Sequence, residues 1–188
     1  MQRVRLTTKD IVYIALFAAL MAALALFPPI ILPMLGGVPI TAQSMGPMLA
    51  GAILGARRGA LSMLLFLALV AIGLPILSGG RGGLGVFMGP TAGFLFGWVL
   101  AAFVVGYLHE RFWQGLNVIQ SLLFTVAGGI VALYAIGIPW AALNTGMTLT
   151  QMAVGSAVFI PGDLVKAGLT AIIAVTVKRA YPLIRAAN

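Results

Sequence analysis

Uncharged apolar runs recur along this chain with little between them. Ile11–Phe27, Gly59–Leu74, Pro90–Leu108 and Leu116–Ile136 contain no Asp, Glu, Lys or Arg. The hydrocarbon core of a bilayer is about 30 Å thick, and a helix takes about 20 apolar residues to cross it. Inside lipid the backbone must satisfy its own hydrogen bonds, so continuous runs of this kind have to be helical. The 188 residues are 62% hydrophobic and 7% charged, more apolar than a soluble domain can bury. The expectation is an all-α integral membrane protein with six transmembrane helices, residues 1–188 forming a single domain in the lipid bilayer. The absence of cysteine excludes disulfides, thiolate metal sites and a cysteine nucleophile. A net charge of +8 would point a soluble protein toward nucleic acid. Here no nucleic-acid partner is expected, and the charges are read through their positions.

Residues 1–10 form a basic head before the first span, Ile11–Phe27. That run is long for the apolar part of a signal peptide, and further spans follow it. Ala15, Ala19 and Ala23 repeat every four residues, a spacing that lets a second helix approach closely but also fits the abundance of alanine in membrane helices. Pro28, Pro29, Pro33, Gly36, Gly37 and Pro39 break the next segment, which reads as a loop folded over the outer end of a pocket. Gln43 is its one long polar side chain. A second span begins between Thr41 and Pro47 and runs to Gly55, and a third covers Gly59–Leu74. Gly79, Gly80, Gly82 and Gly83 then surround Arg81 in a loop whose backbone can approach a ligand. No Gly-Lys-Ser or Gly-Lys-Thr occurs, so the chain has no Walker lysine and is no ATPase by itself. The fourth span, from near Pro90 to Leu108, ends at His109, read as an interfacial anchor, with Glu110 and Arg111. The fifth, Leu116–Ile136, has Tyr134 near its outer end, with Trp140 beyond it as an interface-belt residue. Residues 147–160 read as a helix too short to span, leading into the last span, Pro161–Val177.

On this map Arg3, Arg5, Lys9, Arg57, Arg58, Arg111, Lys178, Arg179 and Arg185 share one face, which the positive-inside rule makes cytoplasmic, with both termini there. Arg81 and Lys166 fall on the outer half. Lys166 stands three residues after Asp163, the spacing that brings two side chains to one face of a helix started by Pro161. An ionisable residue in a span is unfavourable by about 2.5–3.5 kcal/mol on insertion scales and marks a functional site by default. The alternative is an ion pair that only tightens helix packing. Spans two, four and six begin at Gly46-Pro47, Gly89-Pro90 and Pro161-Gly162. Three helix N-termini at the outer face, with Arg81 and Lys166, favour an anionic ligand. Asp163 is an acceptor for ligand N–H groups. The implied ligand is small, with an apolar body, a carboxylate and a polar N–H group. Catalysis has little to draw on: Asp10, His109 and Glu110 lie at the cytoplasmic side, far from Asp163, and one His without Cys builds no usual transition-metal site. No catalytic residue, metal or cofactor is expected.

Five stretches in order carry a specific resemblance: residues 37–43, Gly51–Gly59, Gly79–Gly83, Gly89–Gly93 and Ile160–Lys166. Across residues 10–178 the chain resembles the BioY family, the substrate-binding S components of energy-coupling factor (ECF) transporters for biotin. The resemblance implies a six-helix bundle in the cell membrane that binds biotin near the outer surface. Its lid is formed by the loops between spans one and two and between spans three and four, the latter holding Gly79, Gly80, Gly82 and Gly83. It also implies that Ala15, Ala19 and Ala23 pack against a transmembrane coupling (T) subunit, which works with ATP-hydrolysing (A) subunits. Gln43, Arg81, Tyr134, Asp163 and Lys166 are the candidate substrate contacts. Asp163 would accept ureido N–H bonds, and Lys166 or Arg81 would take the valerate carboxylate or the ureido carbonyl. Three rivals stand beside this reading: a membrane enzyme, an S component for another small carboxylate-bearing vitamin, and a stand-alone proton-coupled carrier with Asp163 as its relay.

Overall fold

The structure, a computed structural model, describes residues 6–30 and 38–184. Arg3, Arg5, Pro33, Gly36, Gly37 and Arg185 therefore lie outside the described residues. Six helices run in chain order: α1 Thr8–Leu24, α2 Met45–Leu54, α3 Ala56–Ala71, α4 Ala92–Arg111, α5 Val118–Thr145 and α6 Leu149–Ala180. By length and composition α4, α5 and α6 are each able to cross a membrane. Thr7 starts α1 with a capping box: its hydroxyl accepts from the Asp10 N–H at 3.3 Å, and its own N–H donates to the Asp10 carboxylate at 2.9 Å.

The second span lies where the sequence puts it, starting between Thr41 and Pro47 and ending at Gly55. At 10 residues, α2 is about 15 Å long, half the hydrocarbon thickness. Every residue from Gly46 to Leu54 is buried, so α2 is a central helix enclosed by protein, and the bilayer does not set its length. Glycine allows that enclosure. A Cβ on Gly51 would overlap the Ala102 carbonyl oxygen of α4, and one on Gly106 would overlap the backbone at Gly55 and Ala56. The chain turns between α2 and α3 at Gly55, whose φ of 87° suits glycine. The Glu110 carboxylate then accepts the Ala56 N–H at 3.0 Å, capping α3.

α5 does not end at Ile136. It passes through a π-helical stretch, Ala127–Ala132, continues beyond Pro139 and stops at Gly146, which takes the left-handed conformation (φ 72°) of a helix C-cap. Proline removes one N–H, and a membrane helix tolerates that when neighbours hold it. Trp140 follows in the same helix. Its indole N–H donates to the Gly89 carbonyl at 3.0 Å, so it packs on the start of α4. The segment 147–160 likewise runs on into the last span. A capping box at Thr148 and Gln151 opens α6, and a 3-10 turn, Ala157–Phe159, joins its two parts. The α-helical part that carries Asp163 begins at Ile160, with Pro161 in its first turn as the sequence predicts. α2 is preceded by a 3-10 turn of its own, Ala42–Ser44. Of the three expected helix ends, α4 alone opens directly from an irregular loop.

One end of the bundle gathers the charge. Asp10 pairs with Arg58 at 3.4 Å, and Arg58 also donates to the Leu183 carbonyl at 2.7 Å. Lys178 donates to the carbonyls of Trp113, Gln114 and Leu116. These contacts bring the start of α1, the α2–α3 junction, the α4–α5 connection and the end of α6 together, in agreement with the charge map. His109 is no interfacial anchor. It is 0% exposed, with Nδ1 2.8 Å from the Val105 carbonyl and Nε2 2.8 Å from Ser121 Oγ. A carbonyl only accepts, so Nδ1 carries the proton and Nε2 accepts from the Ser121 hydroxyl of α5. On α1, Phe17, Ala18 and Met21 face inward, whereas Ala15, Ala19 and Ala23 are exposed.

Two glycine substitutions separate packing from propensity. Gly106→Ala forces a Cβ into the α2–α3 backbone and lowers the melting temperature. Gly168→Ala, in α6 with nothing within 4 Å of the added Cβ, holds or raises it, since alanine in a helix is favoured over glycine by about 0.5–1 kcal/mol. Equal melting shifts in detergent for the two variants would contradict the close α2–α4 packing.

Candidate substrate-binding site

At the end of the bundle opposite the charged contacts lies a half-open, mainly apolar cavity with a few polar groups, the make-up of small-molecule sites. Phe94, Leu95 and Trp98 of α4, Leu133 of α5, Phe159 of α6 and Leu77 supply its apolar wall. Phe94 meets Tyr134 and Phe159 edge-on, at ring-centroid distances of 6.2 and 6.5 Å, a favourable aromatic geometry. Residues Val38 to Thr41 line another side. They belong to a connection that doubles back on itself, with paired backbone bonds between Ile30 and Ile40 at 2.9 and 3.0 Å.

Asp163 is the centre of the polar part, 4% exposed. Its Oδ1 lies 2.9 Å from Lys166 Nζ and 3.2 Å from Ser44 Oγ, and its Oδ2 accepts the Tyr134 hydroxyl at 2.7 Å. Lys166 Nζ also donates to the Thr41 carbonyl and to Ser44 Oγ, both at 2.8 Å. All three ammonium protons of Lys166 are therefore placed on protein acceptors. Ser44 has one hydroxyl proton, facing Oδ1 and, at 3.3 Å, the Thr41 carbonyl that Lys166 already serves. Given to Asp163, it fills the second position on Oδ1. A carboxylate offers about four lone-pair positions, so one on Oδ2 is left without a donor among the described residues.

Gln43 and Arg81 both line the cavity but are held differently. Gln43 is 1% exposed. Its amide NH2 donates to the carbonyls of Met21 at 2.9 Å and Ile76 at 3.1 Å, and its oxygen accepts the Ser78 N–H at 2.8 Å. It ties α1 to the segment that leads into the glycine loop. That loop is a tight turn, with Leu77 and Arg81 paired through their backbones and Gly79 and Gly80 at φ 80° and 69°. A Cβ on Gly82 would overlap the Leu74 carbonyl. Arg81 Nε donates to the Ser78 carbonyl at 3.3 Å, and among the described residues its terminal N–H groups have no acceptor. Burial works against its charge and lowers its pKa from the ordinary arginine value, a bias that an anion in the cavity would offset.

A family model described as the BioY family matches residues 1–183. The chain belongs to the BioY family. It is similar to the biotin transporter BioY of Rhizobium etli, 53% identical over 186 residues that make up 96% of this chain and 99% of the relative. It is likewise similar to the biotin transporter BioY of Rhodobacter capsulatus, 49% identical over 93% of this chain and 95% of that one. Among solved structures, the crystal structure at 2.1 Å of the S-component for biotin from an ECF-type ABC transporter matches with a TM-score of 0.87 at 32% identity, covering 93% of this chain and 95% of that chain. This BioY chain is thus an all-helical membrane protein with the ECF S-component fold.

All five residues singled out in the sequence of this BioY chain line one cavity, but they divide by what their polar groups already do. Asp163, Lys166 and Tyr134 form one hydrogen-bonded cluster, Gln43 braces the wall, and Arg81 keeps free donors. Ser44 escaped sequence reasoning, because nothing in local spacing links it to residues more than a hundred positions away. Its one signal was its place beside Gln43 in the same short polar stretch. Gln43→Leu would leave the Ser78 N–H and two buried carbonyls unpaired, each unfavourable by about 1–3 kcal/mol, and should lower the melting temperature clearly. Arg81→Gln should leave it nearly unchanged. If Gln43→Leu melts like the unaltered protein, the brace is wrongly assigned.

Proposed function

We propose that this chain is the substrate-capture subunit of an ECF-type transporter for biotin, a multi-pass protein of the cell membrane acting as a single substrate-binding domain. The observation that carries the reading is Asp163, a carboxylate in an apolar cavity with one acceptor position left on Oδ2. Biotin presents ureido N–H donors on an apolar bicyclic body. One of them takes the open position, as a charge-assisted bond roughly twice as strong as a neutral one. Lys166 has no proton left for the ligand unless it releases Thr41, so Arg81 receives the valerate carboxylate. Tyr134 holds the Asp163 carboxylate in orientation, and Gln43 contributes by setting the wall. The loops through Val38–Thr41 and Gly79–Gly83 cover the site from the outer side, and both termini face the cytoplasm. The similarity to biotin transporters and the matched fold support this assignment.

Binding of labelled biotin to the purified protein tests it, with lipoate as competitor. Lipoate shares the valerate and a sulfur ring but has no ureido group. Biotin should bind well ahead of lipoate, and Asp163→Asn should weaken biotin by about ten- to a hundredfold, a loss of about 1–3 kcal/mol. If the pair only braces the helices, Asp163→Asn with Lys166→Met should bind biotin normally once folded. That outcome would overturn the proposed site.

Capture alone does not concentrate a vitamin, and the chain has no nucleotide-binding motif. The exposed row Ala15, Ala19 and Ala23 on α1 offers a face where a helix of the T subunit approaches closely, with the A subunits supplying ATP hydrolysis. Replacing Ala15 and Ala19 by leucine should abolish co-purification with the coupling module while biotin affinity stays the same. Normal co-purification would move the partner contact elsewhere.

A further inference from the structure

We infer that Thr91 is a further ligand contact, its hydroxyl donating to an acceptor oxygen of the bound molecule; the inference rests on the reading of the cavity as a biotin site. Thr91 lines the cavity at the N-cap of α4 and is 7% exposed. A threonine at this position ordinarily turns its hydroxyl back onto an N–H of the first helical turn. Thr91 does not. Its backbone is already helical (φ −79°, ψ −13°), its side chain makes no capping bond, and its carbonyl accepts from Phe94 and Leu95 at 3.1 and 3.2 Å. Among the described residues its hydroxyl has no partner. The residue is buried but the hydroxyl oxygen itself is not sealed off, so it stays open to the cavity and offers its proton to whatever enters.

The position is also fixed. Two residues before it, the Gly89 carbonyl accepts the Trp140 indole N–H, and two residues after it, Gly93 packs on the Trp140 Cβ. α5 thereby clamps the start of α4 on both sides of Thr91, so its hydroxyl is presented without reorganisation. The direction of the bond follows from the surroundings. The N-terminal end of a helix carries partial positive charge and favours an oxygen acceptor. The Tyr134 hydroxyl and the Lys166 ammonium already spend their donors on the Asp163 cluster. Thr41, the other wall residue whose hydroxyl is unpaired, is only half-buried. Biotin offers two oxygen acceptor groups, the ureido carbonyl and the carboxylate, and either satisfies the same chemistry.

Equilibrium binding of biotin, and of an analogue whose side chain ends in a methyl group instead of a carboxylate, separates these sources. The proteins are the unaltered chain, Thr91→Val and Thr91→Ser, each checked by melting temperature. Thr91→Val keeps the shape and removes the hydroxyl, and should weaken biotin about tenfold. Thr91→Ser should stay close to the unaltered protein. A Val penalty that persists with the analogue assigns the bond to the ureido carbonyl; one that vanishes assigns it to the carboxylate. If the unaltered protein binds biotin and Thr91→Val binds it within twofold, this inference is overturned and the site reading stands. If the unaltered protein does not bind biotin, both are overturned.

Discussion

Asp163 is 4% exposed in a bundle with few other charges, and its carboxylate is stable there only while Lys166 Nζ stays 2.9 Å away and Ser44 and Tyr134 occupy two more of its acceptor positions. An isolated buried charge would be strongly unfavourable; a paired and hydrogen-bonded one is tolerable. The arrangement joins three parts of the chain. Lys166 and Asp163 come from α6, Tyr134 from α5, and Ser44 with the Thr41 carbonyl from the entry to α2. Neutralising one carboxylate thus fixes the relative positions of two long helices and a cavity-lining segment. Removing a single member leaves others unpaired in a low-dielectric setting, so the cluster behaves as one unit.

The remaining packing serves that unit. α2 is buried along its length and approaches α4 through Gly51 and Gly106, small-residue contacts of the kind membrane helices use in place of a hydrophobic driving force. This places Ser44, just before α2, at the depth of Asp163. Trp140 locks α5 to the start of α4, and the Phe94 ring touches both Tyr134 and Phe159. At the opposite end, polar contacts through Arg58, Glu110, His109 and Lys178 close the bundle. The apolar side chains left exposed, such as Leu16, Phe103, Leu123 and Ile172, are the surface a lipid-facing bundle requires.

Helices lying in uncharged runs with clear punctuation were legible in the sequence, as were the glycine loop, the gathering of basic residues and the pairing of Asp163 with Lys166 within one turn. What misled was punctuation overruled by neighbours. The fifth span reads as ending at Ile136, yet α5 continues through Pro139 to Thr145 with α4 beside it, whereas Pro161 does stand in the first turn of the α-helical part that carries Asp163. Within the site, residue types announced the charged pair and the long polar Gln43 and Arg81. Sequence could not tell that Gln43 spends its amide on backbone, that Lys166 has no proton to spare, or that Ser44 stands between Lys166 and Asp163, since these are facts of long-range contact.

We propose that the last open acceptor position on Asp163 receives a biotin ureido N–H, which a structure of the protein with biotin bound would reveal. One ureido nitrogen is expected at about 2.9 Å from Asp163 Oδ2, with the Tyr134 hydroxyl and Lys166 still on the same carboxylate. Biotin seated with no ureido nitrogen within hydrogen-bonding reach of Asp163 would contradict it.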